Sequence, residues 1–250
     1  MLRLDNVTKA FGGVLATDAV SLDFAPGSLS AVIGPNGAGK TTLFNLISGK
    51  LKPDSGRIVF DGENIAGLDE TEIVRRGVGR AFQVASLFPS LTVEQSLMAA
   101  VLSHRREMLR VAGRFETAGS RTRAHEIIDM TGLGAVARTE AANLSHGDQK
   151  LLDIALALAL EPRLLLLDEP TAGMGSEERW QMIERVRGLW QTEQMTLIFI
   201  EHDMDIVFEV AESIRVLVYG AVLAEGTPAE IRGHPAVIDA YLGVAEGEGP

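Results

Sequence analysis

The sequence predicts an α/β fold: a mostly parallel sheet flanked by helices, with antiparallel strands at the N-terminus and a helical lobe inserted into the core. Three observations predict it. Short apolar stretches punctuated by turn residues open the chain, apolar residues recur at helical spacing through the middle, and strand, helix and strand alternate after it. The first strands are expected at Leu2–Thr8, Val20–Phe24, Leu29–Ile33 and Arg57–Phe60. Turn signals at Gly12-Gly13, Pro26-Gly27 and Pro53-Asp54-Ser55-Gly56 separate them. One helix is expected from near Gly39 to about Ser48, with Gly49 as its stop.

From about 91 to 160 the spacing turns helical, as in Leu97, Val101 and Leu102, then Ile127, Ile128 and Leu133. This stretch reads as a lobe of one domain spanning 1–250, whose core comprises 1–90 and 161–250. A strand at Leu164–Leu167, a helix at Glu177–Trp190 and a strand at Leu197–Ile200 follow. Continuous apolar strands buried on both faces are what a parallel sheet requires.

Composition narrows the function. The 250 residues are 46% hydrophobic and 23% charged, an ordinary globular balance. The absence of cysteine excludes disulfides, thiolate zinc and a cysteine nucleophile. A formal net charge of -11 opposes a general nucleic-acid role, which needs Lys and Arg to neutralise phosphates. Arg75, Arg76, Arg105, Arg106 and Arg110 read as a solvated helix face, with a local basic interaction patch as the alternative. No secretory signal is visible. The most apolar run, Leu151–Leu160, is interrupted by Asp153 and falls short of the roughly 20 residues that span a bilayer. A membrane role is therefore expected to work through docking to a partner.

The stretch Gly34-Pro35-Asn36-Gly37-Ala38-Gly39-Lys40-Thr41-Thr42 matches the phosphate-loop pattern, with an apolar strand before it and a helix after it. Glycines let backbone N–H groups wrap a phosphate, and the following helix aims its positive end at the anion. Lys40 supplies a point charge to the β- and γ-phosphates, and Thr41 a hydroxyl to Mg²⁺. The core is thus expected to be a P-loop NTPase core binding ATP. In Leu164-Leu165-Leu166-Leu167-Asp168-Glu169 the apolar run buries a strand, and the acids emerge at its C-terminal end, where open α/β sheets place ligands. Asp168 is expected in the Mg²⁺ shell and Glu169 as acceptor or orienter of the attacking water.

Between these motifs lies Leu144-Ser145-His146-Gly147-Asp148-Gln149, followed by a long apolar helix. Together the three stretches resemble the ABC-transporter ATPase family, whose signature is typically LSGGQ; His146 replaces the commoner glycine. The resemblance covers nearly the whole chain. It implies that Ser145 and Gly147 reach the γ-phosphate of ATP held by a second subunit. It further implies that Gln83 senses Mg²⁺ and the attacking water, that His202 contacts the γ-phosphate, and that Phe11 stacks on adenine. Gly175 stands where the family usually has Asp, which puts that loop's cross-subunit contact in doubt but leaves Glu169 untouched.

Phe11-Gly12-Gly13, the LSHG signature, Ala172-Gly173-Met174, Glu201-His202-Asp203-Met204 and the segments Tyr219–Pro228 and Ala240–Gly243 look like the ATPases of branched-chain amino acid importers. Urea importers share much of this pattern, and an ATPase for lipopolysaccharide or another solute is the alternative. The resemblance implies a peripheral subunit on the cytoplasmic face of the inner membrane. Its partners would be an identical or related second ATPase, two permeases and, indirectly, a periplasmic binding protein. Val84, Leu87, Phe88 and Leu91 would then line a groove for a permease helix. Two rivals stand outside transport: a soluble ABC-type ATPase and a P-loop kinase, which would have no need of Ser145.

Overall fold

A computed structural model describes residues 1–81, 88–105 and 118–245. Strands β1 (Leu2–Phe11) and β2 (Val14–Phe24) form an antiparallel hairpin closed at Gly12-Gly13, whose φ values of 54° and 89° suit glycine. Both strands run longer than the sequence pattern indicates. Register shifts after Leu4, Val7 and Lys9 break the two-residue alternation, so periodicity fades while pairing continues to Phe11 and Val14.

Strand β3 (Leu29–Ile33) leads into helix α1 (Lys40–Ile47). Next come β4 (Ser55–Phe60), β5 (Glu63–Asn64), α2 (Glu70–Arg75) and β6 (Val78–Ala81). Helices α3 (Val93–His104), α4 (Ala118–Thr131) and α5 (His146–Leu158) precede β7 (Leu164–Asp168). Then follow α6 (Ser176–Glu193), β8 (Thr196–Ile200), α7 (Met204–Val210) and β9 (Ser213–Val218). The chain continues through β10 (Ala221–Gly226), α8 (Pro228–Arg232) and α9 (Pro235–Ala245). The β9–β10 hairpin, turned at Tyr219-Gly220 with φ 48° and 80°, is an element that the sequence reading did not assign.

Two sheets result, one in the order β2-β1-β4-β5 and one in the order β10-β9-β3-β8-β7-β6. The first is antiparallel; the second is parallel except for β10 against β9. Alternation along the central strands divides the core into two layers. Leu165, Leu167, Leu197 and Phe199 face the layer shared with α3 to α7, whereas Leu164, Leu166, Ile198 and Ile200 face α1 and the antiparallel sheet. Emptying one such site, as in Leu166→Ala, costs about 2–5 kcal/mol. Arg215 of β9 ties the two sheets, donating to the Asp23 carbonyl at 2.6 Å and lying 4.4 Å from the Phe24 ring centre.

This arrangement positions the site. Val32 and Asp168 both register against Ile200, so β3, β7 and β8 end at one edge of the sheet. Gly34, Glu169 and His202 emerge there, at the carboxyl ends of parallel strands. Among the described residues no helix is long and apolar enough to cross a membrane.

Candidate nucleotide site

The loop from Gly34 to Lys40 is held by backbone contacts that only glycine permits at two points. Gly34 has φ 151° and Gly39 φ 95°; a Cβ at the first would strike the Leu217 carbonyl, and at the second the Ala16 carbonyl. Ala38 N–H donates to the Pro35 carbonyl at 3.2 Å, and the Gly220 N–H to the Ala38 carbonyl at 3.1 Å, so the β9–β10 turn braces the loop. Asn36, Gly37 and Thr41 are exposed, Pro35 and Thr42 half-buried and Ala38 buried. Helix α1 begins at Gly39 with no side-chain cap, which leaves its first amides for an anion.

Lys40 is only 7% exposed. Its Nζ donates to the carbonyls of Gly34 at 2.7 Å and Pro35 at 3.0 Å, so the ammonium is retained inside the loop that it serves. Burial lowers its pKa, opposed by the charges of Glu169 and Asp168. Phe11, 47% exposed at the hairpin tip, offers an open ring face, with Lys9 Nζ 5.7 Å from its centre.

The acids take different roles from different surroundings. Asp168 Oδ2 accepts from Arg80 at 2.9 Å in a pair whose side chains are 7% (Arg80) and 5% (Asp168) exposed. Arg80 also donates to Asn45 at 2.7 Å and Ser48 at 3.1 Å, which fixes the pair against α1. Asp168 Oδ1 is buried without a hydrogen-bond partner among the described residues. An orphaned carboxylate oxygen suits a hard divalent cation. Among the described residues no group of three His, Cys, Asp or Glu side chains is placed to hold a metal ion.

Glu169 follows with a left-handed backbone, φ 50°. Its Oε1 meets His202 Nε2 at 2.9 Å, joining the ends of β7 and β8. Glu201 is buried and clamps both loops. Its Oε1 accepts from Thr171 N at 2.8 Å and Thr171 Oγ1 at 2.7 Å, and its Oε2 accepts from His202 N at 3.2 Å. Sequence reasoning missed Arg80, Glu201 and Lys150 as site residues. For Glu201 the available signal was a charge ending an apolar run, after Ile200; Arg80 and Lys150 carry no such mark. Gln83, with Phe82, Val84 and Leu87, lies outside the described residues; Phe88 is exposed and Leu91 half-buried.

Ser145 caps α5 and lines a separate cleft with Gly147, Asp148, Met174 and Arg185. No residue from Gly34 to Thr42 lines that cleft among those described, so the fold brings Lys40, Asp168, Glu169 and His202 to one edge and leaves Ser145 and Gly147 elsewhere. Ser145 Oγ donates to Asp148 Oδ2 at 2.7 Å and accepts from Asp148 N at 3.1 Å. His146 Nε2 lies 3.3 Å from the Ala172 carbonyl, so the residue replacing glycine packs on the loop that carries the Gly175 departure. Gly175 starts α6, and its N–H donates to Glu178 at 3.2 Å.

Comparison with known proteins bears on this geometry. The family model described as ABC transporter matches residues 17–172, and one described as Branched-chain amino acid ATP-binding cassette transporter matches 221–247. The high-affinity branched-chain amino acid transport ATP-binding protein LivG of Escherichia coli (strain K12) is 38% identical over 252 residues, covering 98% of each chain. The ADP conformation of an ATP-binding cassette of an ABC transporter superposes with TM-score 0.85 at 29% identity, covering 97% of this chain and 98% of that one. A dimeric post-hydrolysis state of a cassette bound to ADP and Pi gives TM-score 0.76 at 29% identity, over 91% of this chain and 99% of the other. With a phosphate loop, an acidic strand end and a helix-tip signature in one fold, the chain belongs to the ABC transporter ATP-binding family.

Proposed function

We propose that this chain is the ATP-hydrolysing subunit of a bacterial importer for branched-chain amino acids. The single observation that carries the solute class is the match of residues 221–247, which begin at β10, to the branched-chain amino acid cassette family. Two chains close around two ATP molecules. Lys40 and the loop amides of one hold the phosphates, and Ser145 with the Gly147 amide of the other approaches the γ-phosphate. Thr41 and Asp168 Oδ1 would hold Mg²⁺, joined by Gln83; the ion supplies charge neutralisation on the phosphate oxygens.

Glu169 accepts the proton of the attacking water or orients it, and His202, already hydrogen-bonded to Glu169, lies where it can meet the γ-phosphate. Phe11 stacks on the adenine. Hydrolysis removes the phosphate bridging the subunits, and they part; ATP is thus a ligand that prefers the closed pair. Residues 91–160 act as a helical lobe that carries the signature. Beneath two permeases on the cytoplasmic face of the inner membrane, opening and closing would drive passage of a solute delivered by a periplasmic binding protein. Phe88 and Leu91 are the described members of the expected permease groove.

Glu169→Gln tests the chemistry. Its turnover should fall by about 10²–10⁴-fold while ATP still binds and a closed dimer accumulates on a sizing column. Near-normal turnover removes Glu169 from this role.

A further inference from the structure

Helix α5 reaches the catalytic loop at a point that phosphate contact does not use. Lys150 lies in the helix that Ser145 caps, and its Nζ donates to the main-chain carbonyl of Glu169 at 2.8 Å. That carbonyl also accepts from Ala172 N at 3.2 Å, and Glu169 N donates to the Ile200 carbonyl at 3.0 Å. These bonds hold Glu169 in its left-handed backbone, a conformation that a side-chain-bearing residue keeps only when its surroundings fix it. The ammonium bond is the strongest kind of the three, because its donor is charged.

Lys150 is half-buried, in a cleft that it shares with Asp153, Asp168, Glu169 and Ala81. A surface lysine keeps its ammonium in water, whereas burial here lowers the pKa of Lys150, opposed by the charges of Glu201, Glu169 and Asp153. Those three carboxylates belong to the ends of β8 and β7 and to α5 itself. Lys150 is therefore the one described cation whose hydrogen bond links the signature helix to the residue carrying the catalytic carboxylate. A shift of α5 by about 1 Å is enough to break a hydrogen bond of this length.

We propose that Lys150 is a positioning residue through which the signature helix sets the backbone of Glu169, so that movement of α5 is felt in the same chain at the carboxylate facing the attacking water. Signature engagement would then act twice: in trans on the partner's γ-phosphate, and in cis on the helix's own Glu169. A purely structural Lys150 would do no more than neutralise Asp153 and Glu201.

This inference rests on Glu169 acting at the attacking water, and the full chain tests both. In Lys150→Met, kcat for ATP should fall about tenfold, since a charged hydrogen bond is lost where it positions a reacting group. The affinity for a non-hydrolysable Mg·ATP analogue should stay within about twofold, so the loss is in kcat and not in binding. The variant should also accumulate the closed dimer with Mg·ATP, and Lys150→Arg should regain most of the kcat. Lys150→Gln, which retains a donor, covers a methionine variant that does not fold; its kcat should fall with analogue affinity kept. Unchanged kcat overturns the proposal, as does a kcat loss matched by an equal loss of analogue affinity. Failure of the underlying reading looks different, because Glu169→Gln would then turn over normally.

Discussion

Two helix N-termini in this molecule, both assigned to phosphate by the proposed function, are built in opposite ways. Helix α1 has Gly39 as its N-cap, with no side-chain cap and no acid in its first turn, and its first residue, Lys40, is buried. Helix α5 starts at Ser145, whose hydroxyl is already taken by Asp148, an acid in the first turn. The first end has no side-chain cap among the described residues and suits a phosphate; the second is capped by its own side chain and carries negative charge. On the proposed function, affinity for nucleotide therefore belongs to α1. The tip of α5 can add only what remains after Asp148 has been displaced or compensated, which suits a contact that must form and dissolve every cycle.

The largest expected break in this comparison is Lys40→Met. It should lower turnover at least about a hundredfold by removing a donor to developing phosphate charge, with the melting temperature little changed. A calorimetric ATP titration and a phosphate-release assay check it; unaltered binding and turnover would remove α1 from the role given to it.

Smaller effects come from α5. Burial pushes the Asp153 carboxyl up to about 7 from its ordinary 3.8, opposed by the charge of Lys150. The native state then binds more protons than the unfolded one between those values. The stability from this group is complete below pH 3.8 and is lost as pH rises through about 7. Asp153→Asn cannot ionise, so its melting temperature relative to the unmodified chain should climb from pH 5 to pH 8. A difference that stays constant with pH would contradict this.

The smallest effect is Asp148→Gln at the helix tip. It removes an acid from the first turn and should cost about 0.3–1 kcal/mol, or roughly 1–3 °C of melting temperature. Dimer formation in Mg·ATP should nonetheless strengthen, because an anion no longer meets a carboxylate. Weaker dimerisation would mean that Asp148 supports the contact instead of opposing it.

What could be read from the sequence was what is contiguous. The phosphate loop, the Asp168-Glu169 strand end and the signature each occupy a short stretch; the loop points to phosphate by its own pattern, the acids gain their reading from following it, and the role of the signature comes from the resemblance to the ABC-transporter ATPases. The residues that set those groups in place come from distant segments: Arg80 for Asp168, Glu201 for Thr171 and His202, Lys150 for Glu169. Pairing between residues that lie 88 positions apart, as for Arg80 and Asp168, leaves no local pattern. The fold followed the same rule. Strand β3 was legible to the residue because it is short, mostly apolar and buried on both faces, while β1 and β2 were cut short where bulges and exposed Val14 and Leu15 disturb alternation. The β9–β10 hairpin escaped because β10 alternates between exposed and half-buried positions and buries little.

The central claim is that each ATP is held by Lys40 of one chain and Ser145 of another. Mixing Lys40→Met chains with Ser145→Ala chains tests it most directly, since each mixed pair has one site built from an intact loop and an intact signature. The account predicts two nearly inactive preparations whose equal mixture recovers about a quarter of the unmodified turnover, as random pairing requires. A mixture no more active than the mean of its parts, or a Ser145→Ala chain with full turnover alone, would contradict it.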